Sequence, residues 1–275
     1  MNRRLATLAL VASSMLAAGC WEETPTSTFT VERTFDASLL VRVELESING
    51  RIDVVSDESP LATLHARLEL TEGIDPENFL ETSIEGGVLV IRENHERLRS
   101  WRSDATDARY TLTIPAGLDV ELSTTNGAIV TRGIIAAQEL STVNGRIDVE
   151  TPGSLINAET VNGAIGAVYL DRFPGGDFSS VNGSIRIEVP ASTRLSADVH
   201  QVNGSFNSAI PVTVGSADGE SVVLSASTVN GGITVSQVSE TRRAEFRDSA
   251  SAQSNAEELV IAEDETGAIE HQETY

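Results

Sequence analysis

The apolar positions of this 275-residue chain fall into a short cycle that is marked each time by an Asn-Gly dipeptide. The dipeptide stands at Asn49-Gly50, Asn126-Gly127, Asn144-Gly145, Asn162-Gly163, Asn182-Gly183, Asn203-Gly204 and Asn230-Gly231. From Asn126 onward the steps are 18, 18, 20, 21 and 27 residues. The six residues from Asn49 to Val54 recur unchanged from Asn144 to Val149. Before each asparagine stands Ile48, Thr125, Val143, Val161, Val181, Val202 or Val229. Three places after it stands Ile52, Ile129, Ile147, Ile165, Ile185, Phe206 or Ile233. Val54, Val149, Ile187 and Val235 carry the alternation on, and Arg51, Asp53, Arg146, Asp148, Ser184, Arg186, Ser205 and Thr234 lie between. Apolar residues at a period of two predict short strands, with that set facing a core and the polar set facing water.

Asn-Gly is a strong hairpin signal, but a hairpin needs no repeat of 18 to 21 residues. A solenoid coil does. The expected fold is therefore all-β, a single-chain β-solenoid of stacked short strands with Asn-Gly corners. Each coil would hold two or three strands. Glycine would serve the bend through positive φ, which asparagine also tolerates. The asparagines are read as bend or amide-ladder residues; the competing reading is a row that lines a binding groove. One coil cannot bury its own face, so stability requires the stack.

The flanks divide the chain further. Residues 28–118 are expected to form an N-terminal β region and cap, and residues 119–236 the regular repeats. Val41, Val43 and Leu45 alternate with Arg42, Glu44 and Glu46, and Leu64, Ala66, Leu68 and Leu70 alternate with His65, Arg67 and Glu69. Asp75-Pro76-Glu77 opens one helical turn, with aspartate as N-cap and proline first. Residues 237–275 are rich in Glu, Ser, Ala and Asp and are expected to form a largely disordered acidic tail.

The first residues change the picture of location. Arg3 and Arg4 precede an apolar stretch, Leu5 to Leu16, that is too short to span a bilayer. It ends in Leu16-Ala17-Ala18-Gly19-Cys20, which resembles a bacterial lipobox, although Ala17 stands where leucine is usual. Residues 1–19 are thus read as a lipoprotein signal peptide and Cys20, the chain's sole cysteine, as the lipidation site. Attached acyl chains would anchor the protein to the membrane. Residues 20–27 form a polar tether. Trp21 stands where an aspartate would favour inner-membrane retention, which points to the outer membrane.

Composition narrows the function. Aromatics are 4%, so small and β-branched residues must fill the core. The net charge of -22 repels nucleic acid. The histidines His65, His95, His200 and His271 lie far apart without ligand spacing, so no metal or cofactor is expected. No nucleotide-binding, metalloprotease or hydrolase motif occurs. Asp53 and Asp148 hold equivalent places in their repeats, yet other repeats carry no acid there, and solvated surface charge is the favoured reading. The richest local cluster is Arg97, Arg99, Trp101 and Arg102 within residues 92–109, a candidate patch for an anionic or glycan partner with Trp101 as a stacking platform.

Tyr110-Thr-Leu-Thr-Ile-Pro115, Leu122-Ser-Thr-Thr-Asn-Gly-Ala-Ile129, Glu85-Gly-Gly-Val-Leu-Val90 and the serial Val-Asn-Gly-x-Ile units resemble the putative adhesin family of bacterial envelope proteins, related to auto-transporter adhesin head domains. The likeness covers roughly residues 40–236. It implies a β-solenoid at the cell surface or in the periplasm and supplies no catalytic residue. The expected function is a lipid-anchored, non-catalytic, adhesin-like binding or structural module of the cell envelope with an unknown protein or glycan ligand. The alternatives are an envelope-stress sensing or scaffolding component and a carbohydrate-active β-helix enzyme.

Overall fold

In the computed structural model of the chain, residues 25–94, 105–214 and 221–246 are described. The protein is all-β and its strands make two ten-stranded sheets. The N-terminal strands are β1 (Thr26–Asp36), β2 (Arg42–Ser47), β3 (Gly50–Asp57), β4 (Leu61–Thr71), β5 (Leu80–Glu85), β6 (Val88–Glu93) and β7 (Ala105–Pro115). The repeats supply β8 (Asp119–Asn126), β9 (Ile129–Arg132), β10 (Gln138–Asn144), β11 (Ile147–Thr151), β12 (Ile156–Asn162), β13 (Ile165–Tyr169), β14 (Gly176–Asn182) and β15 (Ile185–Val189). The last group is β16 (Leu195–Asn203), β17 (Phe206–Ser208), β18 (Val212–Val214), β19 (Val222–Asn230) and β20 (Ile233–Gln237).

Each repeat gives one strand to each sheet, and the Asn-Gly dipeptide marks the crossing. The strand that ends on asparagine lies in one sheet, and the strand that opens on the following isoleucine lies in the other. Every repeat strand then pairs in parallel and in register with its equivalent. In one sheet Leu122, Leu140, Ala158, Phe178, Ala226 and Val199 are successive partners. In the other, Ile52, Ile129, Ile147, Ile165, Ile185, Ile233 and Phe206 are. These two ladders point inward and belong to one hydrophobic cluster. Burying each leucine or isoleucine contributes on the order of 1.5–3 kcal/mol. Slipping the register by one residue would turn each ladder out to water, so the pattern fixes the pairing.

The ends depart from this scheme. At the N-terminal end β1 pairs antiparallel with β4, β4 antiparallel with β7, and β5 antiparallel with β6, while β2 and β3 join the parallel stack beside β8 and β9. Val43 and Leu45 are buried, whereas Val41 lies before β2 and is exposed, against the alternation that placed all three inside. The turn α1 (Pro76–Phe79) is capped by the Asp75 side chain, which accepts from the Glu77 N–H. At the other end the spatial order is not the chain order. β19 and β20, which carry Asn230-Gly231, sit between the Asn182 repeat and the Asn203 repeat. The chain steps one rung ahead at β16 and β17 and returns to fill the space it left.

The second unit of the chain spans Val238–Tyr275, and in it residues 240–246 are helical. The Arg243 guanidinium meets Glu240 at 3.0 Å within that turn. Residues 247–275, the greater part of the expected acidic tail, lie outside the described residues, as do residues 1–24 with Cys20 and its signal sequence.

The corner glycines are needed for space, and the positive-φ expectation is corrected. Positive φ occurs at Gly73, Gly86, Gly87, Gly133 and Gly175, none of which follows a repeat asparagine. Instead, a Cβ on Gly145 would stand 1.7 Å from the Gly127 carbonyl oxygen, and one on Gly163 would stand 1.7 Å from that of Gly145. Gly145→Ala is therefore expected to cost roughly 2–4 kcal/mol in urea unfolding. Gly117→Ala meets nothing within 4 Å and is expected to change stability by less than about 1 kcal/mol, with any gain coming from the unfolded chain.

Candidate functional site: the Asn-Gly corner

The seven repeat asparagines form one continuous amide ladder. Asn126 Nδ2 donates to Asn49 Oδ1 at 2.8 Å, Asn144 to Asn126 at 2.8 Å, and Asn162 to Asn144 at 2.9 Å. Asn182 donates to Asn162 at 2.9 Å, Asn230 to Asn182 at 2.8 Å, and Asn203 to Asn230 at 3.0 Å. At about 4.8 Å per rung the six steps run about 29 Å. The parallel register explains the chain of bonds: identical amides one strand apart are already at hydrogen-bonding distance.

Two places before six of the seven asparagines stands a hydroxyl residue, the exception being Gln201 before Asn203, and in five of them it donates to a corner glycine carbonyl. Thr124 donates to the Gly50 carbonyl, Thr142 to Gly127 and Thr160 to Gly145, each at 3.1 Å. Ser180 donates to Gly163 at 3.0 Å and Thr228 to Gly183 at 3.2 Å. These hydroxyls are buried and satisfy a carbonyl that the corner turns away from either sheet.

The residue just before each asparagine is thereby forced outward. The apolar set at that place was expected in the core, and this is corrected. Ile48, Val143, Val161, Val181, Val229 and Val202 are 39–73% exposed. Together with Thr125 they make an aliphatic ridge beside the amide ladder. Parity within the strand is the cause: if Leu140 and Thr142 point in, Ser141 and Val143 must point out.

Beyond the ridge the same face carries Glu46, Ser123, Ser141, Glu159, Ser179 and Ser227 in register, then Glu44, Glu121, Glu139, Asn157, Asp177 and Ser225. A groove of about 370 Å³ runs over this acidic row, with Arg42, Leu155 and Asp119 on its walls. Arg42 meets Glu121 at 2.9 Å. The corner is thus a charge-poor strip flanked by an acidic field on a strongly acidic protein.

On the other sheet Asp53 and Asp148 do not come together. Each is held by the arginine two places before it, at 2.7 Å to Arg51 and 2.5 Å to Arg146, and Val130 stands between them in register. Asp53 holds the Arg51 pKa above its ordinary value, chiefly through that hydrogen bond. Arg67, Arg109 and Arg51 are successive partners across β4, β7 and β3, a row of like charges that the sequence reading did not find. Its members come from three strands distant in sequence. Arg97, Arg99, Trp101 and Arg102 lie outside the described residues. Among the described residues no group of three metal-ligating side chains comes together, and no helix is long and apolar enough to cross a membrane.

The N-terminal end of the ladder is closed by Glu93. Ser47 lies where the other repeats have their inward hydroxyl, and its Oγ donates to Glu93 Oε1 at 2.7 Å. The Ile48 N–H donates to Oε2 at 3.0 Å, and the buried Tyr110 hydroxyl donates to Oε1 at 2.6 Å. Glu93 takes the place that a corner glycine carbonyl holds for the other inward hydroxyls. Burial first, and the Glu93 charge second, push the Tyr110 phenol well above its ordinary pKa.

No family model matches the chain, and no curated protein does. Among solved structures it is similar to a putative cell adhesion protein from Clostridium sporogenes, at 12% identity and a TM-score of 0.47, over 77% of this chain and 100% of that one. A putative adhesin from Bacteroides fragilis matches at 13% identity and a TM-score of 0.46, over 76% and 97%. A putative lipid binding protein from Parabacteroides distasonis matches at 12% identity and a TM-score of 0.33, over 76% and 97%.

Tyr110 gives a pH signature for the closed end. Its folded pKa lies above the unfolded value of about 10, so its contribution is complete below pH 10 and is lost as pH rises beyond it. Tyr110→Phe is expected to lower stability at pH 7 by about 1 kcal/mol. In denaturant titrations from pH 8 to pH 11.5 the variant should lose less stability across the alkaline limb than the wild type.

Proposed function

We propose that the chain is a lipid-anchored cell-envelope protein that acts as a non-catalytic, adhesin-like binding module. Its body winds as a two-sheeted β-solenoid, and its contact surface is the aliphatic ridge with the amide ladder beside it. The observation that carries this reading is the exposure of Ile48, Val143, Val161, Val181, Val202 and Val229 in one row on a chain of net charge -22. A solvated strand face needs no such row, and a continuous apolar strip on an otherwise charged body marks a contact surface. The strip is long, flat and repetitive. It suits an extended partner that touches many rungs weakly, in contrast to a small substrate enclosed in a pocket.

Catalysis draws less support. The best-placed carboxylates, Asp53 and Asp148, are engaged by their own arginines on opposite sides of Val130. Glu93 spends its two oxygens on closing the ladder. Paired-carboxylate chemistry requires two acids converging on one substrate position.

The anchor is proposed from the Leu16-Ala17-Ala18-Gly19-Cys20 sequence. Cys20→Ala should abolish incorporation of labelled palmitate and release the protein from the membrane fraction. Undiminished label in that variant removes the anchor.

The contact surface is tested on the same soluble Cys20→Ala protein, by its binding to isolated envelopes. Replacing Val143, Val161 and Val181 by aspartate should leave the melting temperature nearly unchanged, because the three side chains already face water. Envelope binding should fall at least about tenfold, as expected when the centre of an apolar contact is charged. Equal binding by the folded triple variant would place the contact elsewhere on the body.

A further inference from the structure

An Asn-Gly dipeptide carries the parts of a self-modification. The glycine backbone nitrogen can attack the asparagine Cγ, because glycine places no side chain in the way. A new bond forms between that nitrogen and Cγ, the bond from Cγ to Nδ2 breaks, and ammonia leaves with the displaced proton. The product is a five-membered succinimide. Water then opens the ring at either carbonyl and leaves aspartate or isoaspartate. The net change consumes one water and releases one ammonia.

The stack restrains the attacked amide at all five inner corners, and the nucleophile at two of them. Asn126, Asn144, Asn162, Asn182 and Asn230 each donate to one neighbour and accept from another. Their Cγ cannot swing toward the backbone without breaking two hydrogen bonds. Nearest the C-terminal end of the stack the nucleophile is held too. The Gly183 N–H donates to the Asn230 carbonyl at 3.1 Å, and the Gly231 N–H to the Asn203 carbonyl at 3.0 Å.

Asn203-Gly204 lies on the last rung, and both restraints lapse there. Asn203 donates to Asn230 at 3.0 Å, but among the described residues nothing donates to its Oδ1. The Gly204 N–H finds no acceptor among the described residues, a state it shares with Gly127, Gly145 and Gly163, so the unaccepted Oδ1 is what sets Asn203 apart from the inner corners. Val202 is the most exposed member of the ridge, and Asn203, Gly204 and Ser205 are all exposed. At the opposite end Asn49 is half-buried and Gly50 is buried, beside the Glu93 closure.

We infer that Asn203-Gly204 is a site of spontaneous deamidation in the folded protein, and that the stacked rungs protect the five inner asparagines from the same reaction. Each event writes a negative charge at the open end of the amide ladder.

The full chain, purified in detergent, is incubated at pH 8.5 and 37 °C, and the seven Asn-Gly peptides are followed by mass spectrometry. A parallel sample is held unfolded in urea. In the folded protein Asn203 should deamidate at least about tenfold faster than each inner asparagine, the factor that roughly one net hydrogen bond represents. In urea the seven sites should react at similar rates. A lead below tenfold, or a faster inner corner, overturns the inference. An equal lead in urea also overturns it, because local sequence and not the open rung would then set the rate.

Discussion

At six of the seven corners a glycine passes directly over the carbonyl of the glycine on the neighbouring rung, so closely that a single methyl group would collide with it. That approach sets the rest. It brings successive strands to hydrogen-bonding distance in both sheets at once. It places the asparagine amides one above another, where each donates to the next. It leaves the glycine carbonyl facing the inward hydroxyl of the next rung up, which is why a buried threonine or serine stands two places before the asparagine. The aliphatic ladders add most of the burial energy, but they determine position only because the corners fix which residues face each other.

The same constraint produces the exposed surface. With threonine turned inward to the carbonyl, the residue between it and asparagine must face water. That residue is valine at five of the seven corners and isoleucine at a sixth. Valine suits a strand through its branched side chain, yet intrinsic preference does not require it at every rung of a strongly acidic protein. The proposed contact role of this face would account for it. The acidic rows on the outer part of the sheet lie farther from the ladder and leave the ridge free of charge.

Much of the architecture was legible in the chain. The isoleucine three places after each asparagine faces the core at every regular corner, and the step of 18 residues gives one strand to each sheet. The valine before asparagine was misread because the chain changes sheets at the corner. Alternation counted across Asn-Gly therefore joins two strands with different inward sides. The buried threonines were invisible to a hydrophobic pattern, since their polarity is satisfied by a partner 15 residues or more away. The exchange of order between the Asn203 and Asn230 rungs was not read from the chain, because both carry Val-Asn-Gly, although Gln201 and Phe206 stand in the first where Thr228 and Ile233 stand in the second. Glu93 could not be found from sequence as the ladder's closure; it acts across 46 residues on Ser47.

If rungs are interchangeable units that stack through their corners, one of them can be taken out. Deleting residues 145–162 removes one rung and joins Asn144 to Gly163, so that an Asn-Gly corner is restored at the junction. The account predicts a cooperatively unfolding protein with native-like circular dichroism and somewhat lower stability, whereas deletion of residues 145–153 alone shifts every later strand to the wrong sheet and abolishes folding. An 18-residue deletion that unfolds the chain as completely as the nine-residue one would contradict it.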